Sequence, residues 1–147
     1  MTVPDPGACC FCSYLDGTSP YTILERNELT AVLVTFEQRG QGHVLVIPIA
    51  HRETILDLTP EESLEIMDTT VRMSRAIASA FDPEGIAVWQ NNGVAARQTV
   101  PHFHMHVTGT VPGGSTIRGR RPRLPLHATD AIAARLAPHL MEPAAVR

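Results

Sequence analysis

Aromatic side chains are scarce in this chain: one Trp, two Tyr and four Phe among 147 residues. A core must therefore lean on Val, Ile, Leu, Ala and Met, and the hydrophobic share of 44% is enough for one compact domain. Long apolar runs are missing as well, and nothing approaches the ~20 residues of a membrane span. The start, Met1-Thr-Val-Pro-Asp-Pro, has no basic region leading into an apolar block, so no signal peptide is expected and the cytoplasm is the expected compartment. Positive charge is not in excess. A formal charge of −3 argues against bulk nucleic-acid binding, with Arg118-Gly-Arg-Arg-Pro-Arg123 as a local exception that reads as a solvated loop or a phosphate-facing flap. Cysteine is confined to Cys9-Cys-Phe-Cys12, a poor disulfide framework that leaves metal binding or redox chemistry. The chain also lacks a Gly-x-Ser-x-Gly elbow, a Walker loop, a dinucleotide-type glycine fingerprint and any internal repeat.

Hydrophobic patterning supplies the elements. Strands are expected at Thr22–Arg26, Leu29–Phe36, His43–Ile49 and Ile86–Gln90, and from the histidine-rich run to near Val111. Thr59-Pro-Glu-Glu62 carries a capping box and a first-turn proline, which announce a helix ending at Asp82-Pro83. Its apolar stripe is read as Leu64, Met67, Val71, Ser74, Ala78 and Phe81, widened by Ile66, Met73 and Ile77. A short helix from Asp130 to Leu140 places Ile132, Leu136 and Leu140 at spacing four. Strands cluster before and after one long helix, which favours an α+β domain on an antiparallel sheet of about five strands. The expected organisation is a single domain over 1–147, with a loose lead at 1–8, a loop at 112–127 and a C-terminal helix and tail at 128–147.

The densest chemistry lies in Pro101-His-Phe-His-Met-His-Val107. Alternation on an extended strand would bury Phe103, Met105 and Val107 on one face and present His102, His104 and His106 on the other. Such a face can bind a metal or carry a reaction. Upstream, Asn91-Asn-Gly-Val-Ala-Ala-Arg-Gln-Thr99 brings neutral donors, and Gln98 and Thr99 can reach phosphate oxygens at the strand's entry. A histidine can itself attack phosphorus if its other nitrogen is held by a hydrogen bond. The central ring of a row is the natural attacker, and a flanking ring can protonate the leaving atom.

These residues resemble the signature of the histidine triad family, His-x-His-x-His followed by apolar residues. The likeness extends to Gly42-His-Val-Leu-Val-Ile-Pro48, to the Asn92-Gly93 and Gln98-Thr-Val100 segments, and to the Cys9–Cys12 opening of many bacterial members, covering roughly residues 9–110. The resemblance implies the family's α+β fold and either hydrolysis or nucleotidyl transfer at the α-phosphate of nucleoside phosphoramidates or dinucleoside polyphosphates. It assigns attack to His104, leaving-group assistance to His106, orientation to His102 and completion of the cluster to His43. It assigns phosphate or sugar contacts to Asn91, Gln98 and Thr99 together with His104 and His106. It implies a purine nucleotide or nucleotide conjugate as ligand, no metal for the chemistry, no nucleic-acid or membrane partner, and a homodimer. It also implies structural zinc on Cys9, Cys12, His51 and His102. Two positions depart from the family: Thr35 stands where many members have an acidic residue or Asn for the ribose, and Arg97 where many have a small residue. The first departure leaves a nucleotide-sensing module without turnover as the alternative function.

Overall fold

The computed structural model describes residues 1–5, 7–110, 112–113 and 121–140. Its elements run α1 (Cys10–Leu15), β1 (Ile23–Arg26), β2 (Thr30–Val34), β3 (Gln41–Pro48), α2 (Pro60–Phe81), β4 (Ile86–Trp89), β5 (Met105–Gly109) and α3 (Leu126–Leu136). The five strands form one sheet in the order β1-β2-β3-β5-β4, with every neighbouring pair antiparallel. This is the expected α+β architecture.

Every residue of β2 is buried, because both faces of the sheet are covered there. Alternation sorts the side chains. Val32, Val34, Val44, Val46 and Val107 face α2 and α3, where they meet Ile66, Met73, Ile77 and Leu136. Ala31, Leu33, Leu45 and Ile47 face the other way, toward Phe11 and Leu15 of α1. The β1–β2 turn is closed by Asn27, whose side-chain oxygen accepts from the backbone N–H groups of Leu29 and Thr30 at 2.9 and 2.8 Å.

The Thr59 box forms as read. The Thr59 hydroxyl accepts from the Glu62 N–H at 3.2 Å, and the Glu62 carboxylate accepts from the Thr59 N–H at 2.8 Å. The helix stops at Asp82, in left-handed conformation with φ 47°. Its buried face differs from the expected stripe. Ile66, Thr69, Thr70, Met73, Ala76 and Ile77 are buried, whereas Leu64, Met67 and Val71 are exposed. The sequence carries two apolar lines about a third of a turn apart, and the sheet takes the one with small Thr and Ala beside it, which lets the helix lie close across β3 and β5.

Three boundaries also differ. Cys10–Leu15 is helical where only a cysteine cluster leading to a turn is legible. The C-terminal helix starts four residues before Asp130, at Leu126, which shortens the expected 112–127 loop, and residues 137–139 finish it as a 3-10 turn. The histidine-rich strand begins only at Met105 and ends at Gly109. Val111, residues 114–120 of the loop and arginine-rich stretch, and the tail from 141 lie outside the described residues. The lead at 1–8 is not wholly detached: the Thr2 carbonyl accepts from Val94 N–H at 2.8 Å.

Candidate active site and metal cluster

Four of the expected residues meet at one cavity of about 260 Å³: His43 from β3, His106 from β5, His104 from the extended segment just before it, and Thr99 from the loop upstream. Gly42 makes the approach of β3 possible. Its φ is +64°, and a Cβ there would lie 2.7 Å from the Phe81 ring at the end of α2. Phe103, 1% exposed, plugs into the core on the helix side, so both neighbouring histidines turn to the opposite face. The alternation therefore holds through residues that are not in the ladder.

His104 is itself only 5% exposed, yet its ring lines the cavity. Its Nδ1 lies 2.7 Å from the His102 carbonyl oxygen. Nδ1 must carry the proton and donate to that carbonyl, which leaves the lone pair on Nε2. Phe11 packs edge-on against the ring, with centroids 5.4 Å apart. Burial holds the imidazole below its ordinary pKa, so it stays neutral and nucleophilic at pH 7.

His106 lies parallel to Trp89, with centroids 4.4 Å apart and planes 4° apart. The two residues are cross-strand partners in the β4–β5 ladder. His106 Nδ1 is 3.0 Å from His43 Nε2. His43 Nδ1 in turn lies 3.2 Å from both the Glu37 carbonyl oxygen and the Arg39 backbone N–H. The first contact needs a proton on Nδ1 and the second needs a lone pair, so the surroundings accept either tautomer of His43. When Nδ1 accepts from Arg39, His43 Nε2–H donates to His106, and His106 holds its own proton on Nε2. When Nδ1 donates to Glu37, the pair reverses. The two rings form a relay that can give or take a proton. Burial first, and neighbouring positive charge second, push His43 down to about 4 and His106 down to about 2.

His102 is placed apart from this cavity. It is fully buried, with Nε2 3.0 Å from the Pro48 carbonyl oxygen. That contact fixes the proton on Nε2 and frees Nδ1, which lies 3.5 Å from Cys9 Sγ and 3.7 Å from Cys12 Sγ. Cys12 Sγ is also 3.3 Å from His51 Nδ1, and the four ligand atoms all lie within 4.8 Å of one another. Ligands around tetrahedral zinc, at about 2.0–2.3 Å from the ion, sit roughly 3.3–3.8 Å apart. The donor set, its spacing and the hydrogen bond behind His102 all fit that ion. The same residue serves both centres: its ring faces the thiols and its carbonyl orients His104.

The residues expected to donate to phosphate divide. Thr99 lines the cavity. Gln98 does not: its side-chain oxygen accepts from Gly93 N–H at 2.6 Å, and its amide donates to the Glu53 and Val100 carbonyls at 2.6 and 2.9 Å. It is spent on shaping the loop. Asn91 donates to the Ala96 carbonyl and is likewise away from the cavity wall.

Among the wall residues, Tyr14, Tyr21, Phe36 and Arg39 carry no site signal in the sequence, whereas Thr35 stands at the family's ribose position and Arg123 in the stretch expected as a solvated loop or a phosphate-facing flap. Tyr14, Tyr21 and Phe36 form an aromatic side, with the two tyrosines stacked at 4.1 Å and Tyr21 edge-on to Phe36 at 4.4 Å. Thr35, Glu37 and Arg39 border it from the β2–β3 connection, and Arg123 from the approach to α3. Trp89 was visible only as a strand residue.

Comparison with known proteins places this geometry. The model of the HIT domain matches residues 16–113. The protein called hit of Bacillus subtilis is 33% identical over 99 residues, 67% of this chain and 68% of that one. An adenosine 5′-monophosphoramidase of Schizosaccharomyces pombe is 32% identical over 100 residues, 68% of this chain and 72% of that one. The crystal structure of a zinc-bound histidine triad family protein from Mycobacterium smegmatis superposes with a TM-score of 0.75 at 28% identity, covering 89% of this chain and 94% of that one.

Proposed function

This chain belongs to the HIT domain family, and we propose that it is a nucleotide hydrolase or nucleotidyl transferase acting at the α-phosphate of nucleoside phosphoramidates or dinucleoside polyphosphates through a nucleotidyl-His104 intermediate. The carrying observation is the His104 ring, neutral, with Nδ1–H on the His102 carbonyl and the Nε2 lone pair at the cavity. The phosphoramidase activity of the Schizosaccharomyces pombe relative supports the reaction class.

Nε2 of His104 attacks phosphorus while the bond from phosphorus to the leaving oxygen or nitrogen breaks. The leaving atom takes the Nε2 proton of His106 from a His43–His106 pair that carries one extra proton, taken up from solvent when the anionic substrate binds, and both rings are left neutral. A water, or another acceptor, then gives its proton to the emptied relay and attacks phosphorus, and the bond to His104 breaks. Thr99, which lines the cavity, would donate its hydroxyl to a phosphate oxygen. His102 orients His104 through its carbonyl rather than by contact with substrate, and Gln98 and Asn91 support the loop.

Cys9, Cys12, His51 and His102 would hold zinc as a closed structural site, which clamps α1 to the segment that carries the nucleophile. The zinc-bound Mycobacterium smegmatis relative supports this reading. A purine nucleotide or its conjugate is the proposed ligand and the cytoplasm the proposed compartment; no described helix is long and apolar enough to cross a membrane. The exposed Leu64, Met67 and Val71 on α2 support a homodimer.

The test is His104→Asn, assayed on an adenosine phosphoramidate and on diadenosine tetraphosphate. We expect turnover to fall by about 1,000-fold or more, in the upper range for removal of a central catalytic group, while AMP still binds. Parent-like turnover in the variant would reject the covalent route. Tight AMP binding by the parent with no turnover of either compound would favour a sensing module.

A further inference from the structure

Beyond the imidazoles at its base, the cavity has a charged wall. Two guanidinium residues stand there. Arg39 lies on the β2–β3 connection, four residues before His43, and Arg123 precedes α3. They reach the same cavity from segments 84 positions apart, the difference of 123 and 39.

Arg123 is held in place from three sides. Its guanidinium carbon sits 4.4 Å above the Phe36 ring centroid. Its charge lies close enough to the Tyr14 hydroxyl to favour that phenol's ionised form. The next residue, Leu124, donates its N–H to the Phe36 carbonyl at 2.9 Å. None of these contacts neutralises its charge. The side-chain ion pairs among the described residues are Arg52–Glu62, Arg72–Glu25 and Arg72–Asp68, and none involves Arg123. The positive charge of Arg39 is close enough to disfavour protonation of both His43 and His106. One carboxylate, Glu37, shares the wall. Among the described residues of the wall, two guanidinium groups stand against one carboxylate.

All twelve basic side chains of this protein are arginine, and there is no lysine. A planar guanidinium stacked on an aromatic ring presents its free edge in a fixed plane, the geometry that binds phosphate oxygens in pairs.

We infer that Arg39 and Arg123 select the leaving group, favouring substrates that expel a phosphate-bearing anion over those that expel an amine. The inference rests on the nucleotidyl-His104 reading for its chemistry. In both classes of substrate the same nucleotidyl group passes to His104. Only the departing part differs, and it is either a polyanion that gains from two cations or an amine that gains nothing.

The experiment compares kcat/KM for diadenosine tetraphosphate, which expels ATP, with that for adenosine 5′-phosphoramidate, which expels ammonia. It uses the full chain, the Arg39→Gln/Arg123→Gln double variant and Arg123→Lys. The ratio of the two values should fall by about ten-fold or more in the double variant, as expected for loss of charge-assisted hydrogen bonds, and Arg123→Lys should keep most of it. High salt should lower the ratio in the parent and leave it nearly flat in the double variant. Equal loss on both substrates would place the arginines on the shared α-phosphate and overturn the inference, as would an unchanged ratio. If the parent turns over neither compound, the hydrolase reading fails separately. Calorimetry then decides the inference: a preference for ATP over AMP that disappears in the double variant supports it, and a preference that persists, or is absent in the parent, overturns it.

Discussion

Acidification from pH 7 to pH 5 tests the buried relay most directly. Unfolded, His43 takes a proton near its ordinary 6.5; folded, burial holds it at about 4. Between those values the unfolded chain carries the extra proton, so stability rises with pH there. The contribution is complete above about 6.5, drains as pH falls, and levels off only below about 4. From the binding polynomials for 6.5 and about 4, the loss between pH 7 and pH 5 is about 2 kcal/mol. His106, pushed lower still to about 2, also takes its proton only in the unfolded chain over this range and adds a loss of the same size, so the figure of about 2 kcal/mol is the share of His43 alone. Urea unfolding followed by circular dichroism at pH 7, 6 and 5 measures the loss. At an m-value of roughly 1–3 kcal/mol per molar the share of His43 is a drop in midpoint of about 0.7–2 M. His43→Asn should be less stable at pH 7 and should lose about 2 kcal/mol less on acidification. The cysteine and histidine cluster is equally acid-sensitive in both proteins and cancels in the difference. Equal losses in parent and variant, or a parent that gains stability in acid, would refute the reasoning.

Zinc stripped by a strong chelator should lower the melting temperature and the turnover together, because the ring of His102 faces the thiols while its carbonyl orients His104; metal analysis beside a thermal scan checks this, and less than a tenth of an equivalent of zinc in protein purified without chelator, with the fold intact, would exclude the clamp. Phe103→Ala should cost about 3–5 kcal/mol, the range for emptying a core aromatic site, since the ring is 1% exposed; chemical denaturation reads it. Gly42→Ala should destabilise by about 1–3 kcal/mol, because φ is +64° and the new Cβ would meet the Phe81 ring at 2.7 Å; a midpoint equal to the parent's would show that the ring yields freely.

What could be read from the sequence was whatever short-range pattern controls. The alternation of β2 and β3, the Thr59 box and the opposite facing of Phe103 and its histidine neighbours are local rules, and all appear in the fold. The buried face of α2 was misjudged because periodicity cannot choose between two apolar lines; the sheet does, and it left Leu64 at 74% exposure. Six-residue α1 carries no side-chain cap, so no helix signal precedes it. Trp89 meets His106 through the β4–β5 register, which no single segment encodes. Gln98 lies beside Thr99 in the chain, and only the closed loop reveals that its amide is fully engaged.

The indole stacked on His106 is the chain's sole tryptophan. Emission excited at the red edge of protein absorption therefore originates from one spot, stacked on the His106 ring. A proton arriving on that ring quenches the lamp beside it. Stopped-flow fluorescence of the unlabelled protein becomes a clock for the chemical step, needing no dye and no modified nucleotide.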